Sequence, residues 1–315
     1  MTTYAIQTEN LVKTYGHGRS ATHAINGLSL NVPEGSIYGL LGRNSAGKST
    51  TIRMAMGLAR PSSGTMRVFG LNPAVDPERV TVLNQVGFVP EDKALIGSSP
   101  RKIFELNRSF YPSTWSDSLA RKLIARLELP LDKAWAALSL GNKTKAALIC
   151  AIAQRSRLLI LDEPTTGLDP VVLDELLRIL VEDCTAPIAN DQPRTILLSS
   201  HQLAEIEQIA DHIGIMDRGR LLLEGPLDEI RARFLRVTVT GENLPRISPS
   251  ILSVKRELHA TQYVLQRDPE LFLSDLRSQG ATVAETMPLS LNEIFLELCR
   301  THDHAEDTVD FGAAR

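Results

Sequence analysis

A glycine-rich loop near the start of the chain has the residue types and spacing that most clearly predict chemistry. It matches the pattern G-x-x-x-x-G-K-[ST] and reads Gly42, Arg43, Asn44, Ser45, Ala46, Gly47, Lys48, Ser49 and Thr50. In such a loop the glycines let backbone N–H groups turn towards an anion at the beginning of a helix. We therefore expect a nucleotide-phosphate site, with Lys48 on the β- and γ-phosphates, Ser49 on Mg²⁺ and Thr50 donating to the α-phosphate.

Two adjacent carboxylates, Asp162 and Glu163, end an apolar run that begins at Leu158. The carboxyl end of a buried strand is where ligands bind in open α/β sheets. We expect Asp162 to hold Mg²⁺, directly or through water, and Glu163 to polarise the attacking water as a general base. The alternative is that the carboxylates simply end a strand in solvent. Together with the glycine loop, the pair predicts hydrolysis of a magnesium-bound nucleotide.

Two further residues carry less specific signals. His201 follows an apolar segment and two serines, so it is expected at a strand end, where it could contact the γ-phosphate and orient the water. A lone histidine is more often structural, but the two preceding motifs favour the catalytic interpretation. Tyr15 could stack on adenine, or it could equally belong to the core or the surface.

Apolar periodicity predicts the elements that position these residues. Near-alternating apolar residues predict strands over 6–12 and 24–32, and a buried strand over 36–41 leads into the glycine loop. Helical spacing across 100–129 predicts a helical insertion in a strand-rich core. The other expected elements are helices over 48–58, 143–154 and 202–210, strands over 86–90, 158–163, 195–199, 213–216 and 220–223, and a surface loop over 183–194.

The pattern changes after Gly225 and Pro226, which predicts a second, α+β domain over 226–302. Strands are expected over 237–240 and 262–266, and a helix over 269–280 opened by a proline in its first turn. Ser290 and Glu293 have the spacing of a capping box in front of an apolar stripe. The polar segment 303–315 is expected to be a disordered tail.

The composition narrows the class of protein. The chain has 315 residues, 43% of them hydrophobic, and a net charge of -3, which gives no reason to expect a nucleic-acid partner. No apolar run approaches the roughly 18 residues of a membrane span, and the first residues do not have the pattern of a signal peptide. The three cysteines form no metal-ligand pattern and are expected to be reduced thiols, as in the cytoplasm.

In their order along the chain, these motifs resemble the ATP-binding subunit of ATP-binding cassette (ABC) transporters over residues 4 to about 225. The resemblance implies an α/β P-loop NTPase fold with a mixed β-sheet, an antiparallel β-subdomain and a helical subdomain at about 91–157. The second domain is similar to the accessory segment of exporter-type subunits in bacteria. The matching motifs are the adenine-stacking Tyr15, Walker A at 42–50, the loop 86–91 with Glu91, the signature at 138–142 with Ser139 and Gly141, Walker B with catalytic Glu163, the dimer-seam loop 167–169 with Asp169, and the switch histidine His201.

The resemblance also implies a mechanism. Two such subunits meet head to tail, and the signature of one, with Ser139 and Gly141, closes over ATP and Mg²⁺ bound to Walker A of the other. Hydrolysis opens the dimer, and the motion drives a membrane-spanning subunit on a separate chain, so the protein is expected on the cytoplasmic face of the membrane. The second ATP-binding subunit could be an identical or a different chain.

Three motifs depart from the usual family pattern. Ser45 stands where Walker A usually has glycine, and Leu140 and Asn142 replace glycine and glutamine in the signature. Glu91 replaces a glutamine, although an acid there can still approach Mg²⁺ or its water. An ABC-type ATPase acting on a non-membrane assembly is the alternative, but such proteins usually carry two cassettes, a coiled coil or a zinc motif. Glu163 and His201 argue against a non-hydrolysing subunit.

Overall fold

The computed structural model describes residues 3–92, 98–184, 188, 194–240, 251–257, 260–266, 269–278 and 281–310. The chain divides into two compact units, Met1–Glu224 and Gly225–Arg315. The sequence pattern places the break between residues 225 and 226.

Strands and helices alternate in the first unit, as an α/β core requires. Its strands are β1 (Tyr4–Tyr15), β2 (Thr22–Leu28), β3 (Asn31–Pro33), β4 (Ile37–Gly42), β5 (Ser63–Val68), β6 (Val86–Val89), β7 (Leu158–Asp162), β8 (Thr195–Ser200), β9 (His212–Asp217) and β10 (Arg220–Pro226). Its helices are α1 (Lys48–Ala55), α2 (Glu78–Leu83), α3 (Pro100–Phe110), α4 (Asp117–Arg126), α5 (Leu140–Ala153), α6 (Pro170–Ile179) and α7 (Leu203–Ile209).

Two sheets form the core of this unit. Strand β1 pairs antiparallel with β2, β3 and β5 in a four-stranded sheet. The second sheet has six strands in the order β10-β9-β4-β8-β7-β6, and the strands from β9 to β6 run parallel. All residues of β4, β7 and β8 are buried. Because these three strands are parallel neighbours, their carboxyl ends meet at one edge of the sheet, where α/β proteins bind ligands.

The helical insertion at 100–129 contains two helices, α3 and α4, instead of one continuous helix. Helix α3 ends at Phe110 and α4 begins at Asp117. The Ser116 hydroxyl caps α4 by accepting the Leu119 N–H at 3.2 Å. Helix α5 also begins earlier than the expected residue 143. It starts at Leu140, because the Ser139 hydroxyl accepts the Asn142 N–H at 3.3 Å as an N-cap.

The predicted surface loop at 183–194 is wrong at its last residue. Arg194 is 2% exposed, and its guanidinium donates to the Ser156 carbonyl oxygen at 2.9 Å. The long aliphatic stem is buried while the charged head is bonded to backbone, so the charge does not force the residue to the surface. A π-helical turn, Leu180–Cys184, extends α6 into the same segment. Residues 185–187 and 189–193 lie outside the described part.

The second unit is an antiparallel sheet with helices. Its elements are α8 (Leu227–Arg233), β11 (Phe234–Thr240), β12 (Ile251–Arg256), β13 (Thr261–Gln266), α9 (Pro269–Ser278), β14 (Thr282–Pro288) and α10 (Leu291–Asp310). The strand order is β12-β13-β11-β14. Tyr263 and Phe272 meet edge to face, 5.2 Å between ring centroids, in its core. The sequence pattern does not predict strands β12 and β14, because both are edge strands with mainly exposed or half-buried residues.

The start and end of α10 test two expectations. The capping box is present, since the Glu293 carboxylate accepts the Ser290 N–H at 2.9 Å and the Ser290 hydroxyl accepts the Glu293 N–H at 3.4 Å. The disordered tail is wrong for residues 303–310, because α10 continues to Asp310. Extending an existing helix is much easier than nucleating one, so a polar sequence can prolong it. Residues 311–315 lie outside the described part.

Candidate functional site

A cleft of about 420 Å³ lies where β4 ends and the glycine loop leads into α1. Its lining combines residues that are distant in sequence: Tyr15, Thr22, His23, Ala24, Arg43, Asn44, Ser45, Ala46, Gly47, Lys48, Ser49, Thr50, Glu91 and Glu163. Gly42, at the end of β4, is buried beneath the loop. The structure thus brings together the predicted phosphate loop, the predicted adenine-stacking residue and one of the two strand-end carboxylates.

The backbone of the glycine loop adopts two left-handed conformations. Gly47 has a φ of 105°, and a Cβ there would lie 2.7 Å from the Ala24 carbonyl oxygen, so only glycine fits. Ser45, which replaces a glycine, has a φ of 70°. A side chain is tolerated in this region with some strain. Serine therefore fits the backbone conformation that this position of the loop requires.

Lys48 is 6% exposed and crosses the loop from the first residue of α1. Its ammonium group donates to the Gly42 carbonyl oxygen at 2.7 Å and lies 3.6 Å from a Glu163 carboxylate oxygen. A buried ammonium group is stable only when it is paired and hydrogen-bonded. The site therefore holds a cation beside the loop's backbone N–H groups.

Asp162 forms the floor of the site between two hydroxyl groups. Ser199, its parallel neighbour on β8, donates to Asp162 Oδ1 at 2.5 Å, and the Ser49 hydroxyl lies 3.4 Å from the same oxygen. Asp162 is 5% exposed. A carboxylate and a serine hydroxyl supply oxygen ligands of the kind that Mg²⁺ prefers, so this pair fits a magnesium ion.

Glu163 is held from three sides immediately after β7. His201 Nδ1 lies 2.8 Å from Glu163 Oε2, while Lys48 approaches the other carboxylate oxygen. The Glu163 N–H donates to the Ser199 carbonyl oxygen at 3.2 Å. Glu163 has a φ of 47°, an uncommon backbone conformation for a residue other than glycine. The result is a buried carboxylate at the edge of the cleft, bonded to a half-exposed histidine.

The far side of the cleft has a different character. Tyr15 is 41% exposed, and the Lys13 ammonium lies 4.9 Å from the centroid of its ring. One aromatic ring with a cation nearby and open space beside it can accept a flat base. Glu91 is exposed and lines the same cleft.

The predicted signature residues lie elsewhere. Ser139, Gly141 and Asp169 line a separate hollow of about 360 Å³ with Leu140, Asn142, Lys145, Gly167 and Leu168. Asp169 caps α6, since its carboxylate accepts the Val171 and Val172 N–H groups at 3.1 and 3.0 Å. A Cβ on Gly167 would lie 2.6 Å from a Leu140 methyl carbon, so the signature leucine rests on the loop glycine. Within one chain, these residues do not join the phosphate cleft.

Sequence reasoning missed several residues of the site. Ser199 links Asp162 to Glu163, and it could have been found only by knowing that β8 lies beside β7. Glu205 and Thr165 are both buried near Glu163, although a polar residue in a loop or a helix gives no signal of burial. His23 reaches the cleft through the pairing of β1 with β2, where its ring bonds the Thr14 hydroxyl at 3.0 Å.

Comparison with known proteins identifies the family. The sequence profile described as "ABC transporter" matches residues 25–166, and one described as an AAA domain matches residues 128–207. The bacitracin transport ATP-binding protein BcrA of Bacillus licheniformis is 33% identical over 298 residues, covering 93% of this chain and 89% of that protein. The chain belongs to the ABC transporter family.

A second relative and a solved structure agree with this assignment. The Nod factor export ATP-binding protein I of Ralstonia nicotianae is 30% identical over 310 residues, covering 93% of both chains. A solved structure described as the ATP binding subunit of an ABC transporter is 30% identical with a TM-score of 0.60, covering 72% of this chain and 92% of that one. The protein is thus an ATP-binding subunit with ATPase activity that energises transport, and the predicted P-loop fold class is confirmed. Among the described residues, no helix is long and apolar enough to cross a membrane.

Proposed function

We propose that this subunit hydrolyses ATP at the cleft around Lys48, with Glu163 as the general base. The observation that carries the proposal is the position of Glu163, a buried carboxylate bonded to His201 and facing the loop that would hold the phosphates. Lys48 and the loop N–H groups bind the β- and γ-phosphates, Thr50 donates to the α-phosphate, and Tyr15 stacks on adenine. A water between Glu163 and the γ-phosphate loses its proton to the carboxylate as its oxygen attacks the γ-phosphorus, and the bond from that phosphorus to ADP breaks. His201 contacts the γ-phosphate and orients the water.

The magnesium ion has a place in this scheme. Ser49 and Asp162 would hold it, and Glu91 would approach it or its water from the other side of the cleft. When bound, Mg²⁺ neutralises charge on the phosphate oxygens. Ser199 keeps the Asp162 carboxylate oriented through its hydrogen bond.

Lys48→Ala tests the phosphate site directly. The variant should lose measurable phosphate release and bind ATP at least about tenfold more weakly, since charge-assisted hydrogen bonds to phosphate contribute about 1.5–3 kcal/mol. Calorimetry with ATP and Mg²⁺ gives the affinity, and Lys102→Ala, an exposed lysine on α3, is the control. Unchanged ATP affinity in Lys48→Ala would place the phosphates elsewhere.

The separation of the two half-sites supports a dimer as the working form. Ser139, Gly141 and Asp169 lie in their own hollow, and in this proposal a second ATP-binding subunit supplies them to the phosphate cleft. The proposed arrangement is head to tail, with the signature of each chain on the ATP of the other. Binding of ATP then shifts the population towards the closed dimer, and hydrolysis reverses the shift.

The proposed membrane partner is a membrane-spanning subunit on a separate chain, and the proposed process is export from the cytoplasmic face of the membrane. Support for export comes from relatives whose names describe bacitracin transport and Nod factor export. Support for docking comes from a groove of about 370 Å³ between α3 and α4, lined by the aromatic rings of Phe104 and Trp115 and by charged side chains. Phe110, on α3, is 69% exposed.

Charge substitutions test this docking surface. Phe110→Asp and Arg121→Glu should reduce capture of the membrane subunit about tenfold or more, because truncating an anchor of an interface costs about 2 kcal/mol or more. Basal ATP hydrolysis should not change. The measurement is affinity capture of the tagged subunit from detergent-solubilised native membranes. Leu58→Asp changes a similarly exposed apolar residue in the turn after α1 and is the matched control. If only soluble partners are captured, the alternative of a non-membrane assembly gains support.

A further inference from the structure

Two buried polar atoms beside the site have no hydrogen-bond partner in the described part of the chain. They are the Thr165 hydroxyl oxygen and one carboxylate oxygen of Glu205. The residues are 4% and 5% exposed. Buried polar groups are almost always paired, because an unpaired one loses its hydrogen bonds to water without replacement. A donor and an acceptor left unpaired at the edge of a catalytic site therefore need a physical explanation.

Each of these residues lies in the segment that directly follows a residue of the site. Thr165 follows Glu163 and starts the turn towards the loop 167–169, in which the Leu168 N–H donates to the Thr165 carbonyl oxygen at 3.1 Å. Glu205 lies in the first turn of α7, the helix that follows His201. The two residues thus connect the base and the histidine to the elements behind them.

The two groups also face each other. Burial raises the pKa of the Glu205 carboxyl, and the nearby Thr165 hydroxyl partly lowers it again. The negative charge of Glu163 raises this pKa further, while His201 lowers it. Thr165, Glu163 and His201 are therefore all close enough to affect the pKa of Glu205. The Thr165 hydroxyl is thus close enough to the Glu205 carboxyl to lower its pKa as a hydrogen-bond donor, but the geometry of the two groups leaves Thr165 Oγ1 and Glu205 Oε2 without a complete hydrogen bond.

We propose that Glu205 is a positioning residue, whose carboxyl accepts a hydrogen bond from Thr165 when the segment 164–169 closes against the second subunit. This inference rests on the proposed function. A hydroxyl donor and a carboxyl acceptor satisfy each other, so a small shift that joins them removes both unpaired groups at once. The segment contains Gly167, with a φ of 81°, and Asp169, which is proposed to lie at the seam. The hydrogen bond would fix α7, the helix that follows His201, to the segment 164–169. It would thereby orient His201 towards Glu163.

The inference is tested with a double-mutant cycle on ATP hydrolysis. Thr165→Val and Glu205→Ala should each lower kcat about tenfold, the size expected for a hydrogen bond to a charged group, with KM for ATP unchanged. The double variant should be no slower than the slower single variant, because both changes remove the same interaction. Glu205→Gln, whose amide oxygen can still accept from Thr165, should restore most of kcat. Gln208→Ala, at an exposed position of α7, is the control and should match the wild type.

The outcomes separate this inference from the proposed function. Wild-type protein that does not hydrolyse ATP would overturn the proposed function and this role with it. An active wild type with normal kcat in both single variants would overturn the positioning role alone. So would effects that multiply in the double variant, since independent residues behave in that way. If Glu205→Ala does not fold, Thr165→Val, which keeps the shape of the side chain, and Glu205→Gln decide the outcome.

Discussion

The phosphate cleft and the signature hollow are both built from motifs of one chain, but they differ in completeness. In the cleft, Lys48, Asp162 and Glu163 are each less than 10% exposed. Each is hydrogen-bonded within the chain: Lys48 to the Gly42 carbonyl oxygen, Asp162 to the Ser199 hydroxyl, and Glu163 to His201. In the hollow, Leu140 is 49% exposed, and the Ser139 hydroxyl is bonded to its own helix. The cleft is pre-organised before any partner arrives, whereas the hollow offers exposed groups to a second molecule. Changes in the cleft should therefore affect chemistry, and changes in the hollow should affect assembly.

The largest expected effect is on the cleft side. Glu163→Gln removes the general base while keeping the shape and the hydrogen bond to His201, so kcat should fall about 10²–10⁴-fold. ATP binding should persist, because the glycine loop is untouched, and the variant should accumulate as an ATP-bound dimer. Phosphate release and calorimetry measure the two properties. Near-normal steady-state hydrolysis by this variant would mean that Glu163 is not the general base. It would also contradict the expectation that changes in the cleft affect chemistry.

Ser139→Arg probes the signature side in the Glu163→Gln background. A bulky cation at the N-cap of α5 should block closure of the dimer while each subunit still binds ATP, because Ser139 does not line the phosphate cleft of its own chain. The expected result is a monomer with ATP and Mg²⁺, where Glu163→Gln alone gives a dimer, as measured by light scattering after size exclusion. Loss of the N-cap should lower stability by about 1 kcal/mol.

Two results would count against this division of roles. Equal dimerisation with and without Ser139→Arg would mean that the signature hollow does not face the seam. Monomers in both cases would exclude a homodimer without its membrane partner, and pairing with a different ATP-binding subunit would then be the arrangement to test. Ser139→Ala, which removes the cap without adding bulk, separates the effect on the helix from the effect on the interface.

The smallest expected effect concerns stability behind the cleft. Burial raises the pKa of Glu205 in the folded protein. Between the pKa of the unfolded state and that of the folded state, the folded protein therefore still holds a proton that the unfolded protein has released. Stability should therefore fall as the pH rises from about 4.3, the unperturbed value of a glutamate, through the raised pKa of the folded protein. Glu205→Gln cannot ionise and should lack this loss, gaining on the order of 1 kcal/mol, or about 2–4 °C in Tm, relative to the wild type at neutral pH.

Thermal unfolding of both proteins across the pH range checks the sign. The difference in Tm should grow as the pH rises and shrink towards acid, where Glu205 is protonated in both states. A constant difference at every pH would mean that Glu205 does not titrate with a raised pKa. Glu207→Gln, on the same helix and partly exposed, is the control for adding an amide to α7.

The sequence by itself determined the parts of this protein whose geometry is local. The glycine loop, the strand that ends in Asp162 and Glu163, and the capping box at Ser290 each lie within a few consecutive residues, so their residue types dictate their backbone conformation. The resemblance built on these motifs was sufficient to predict the family and the fold class. Helix periodicity located the insertion at 100–129, although the break before Ser116 needed the cap geometry.

Only the tertiary structure decided which distant residues meet. The strand order places β8 between β4 and β7, and this alone brings Ser199 to Asp162 and His201 to Glu163. It also buries Arg194, Thr165 and Glu205, whose polar side chains predict exposure when read as sequence. The physical reason is that burial and strand order arise from contacts between segments far apart in the chain, which no local spacing of residues encodes.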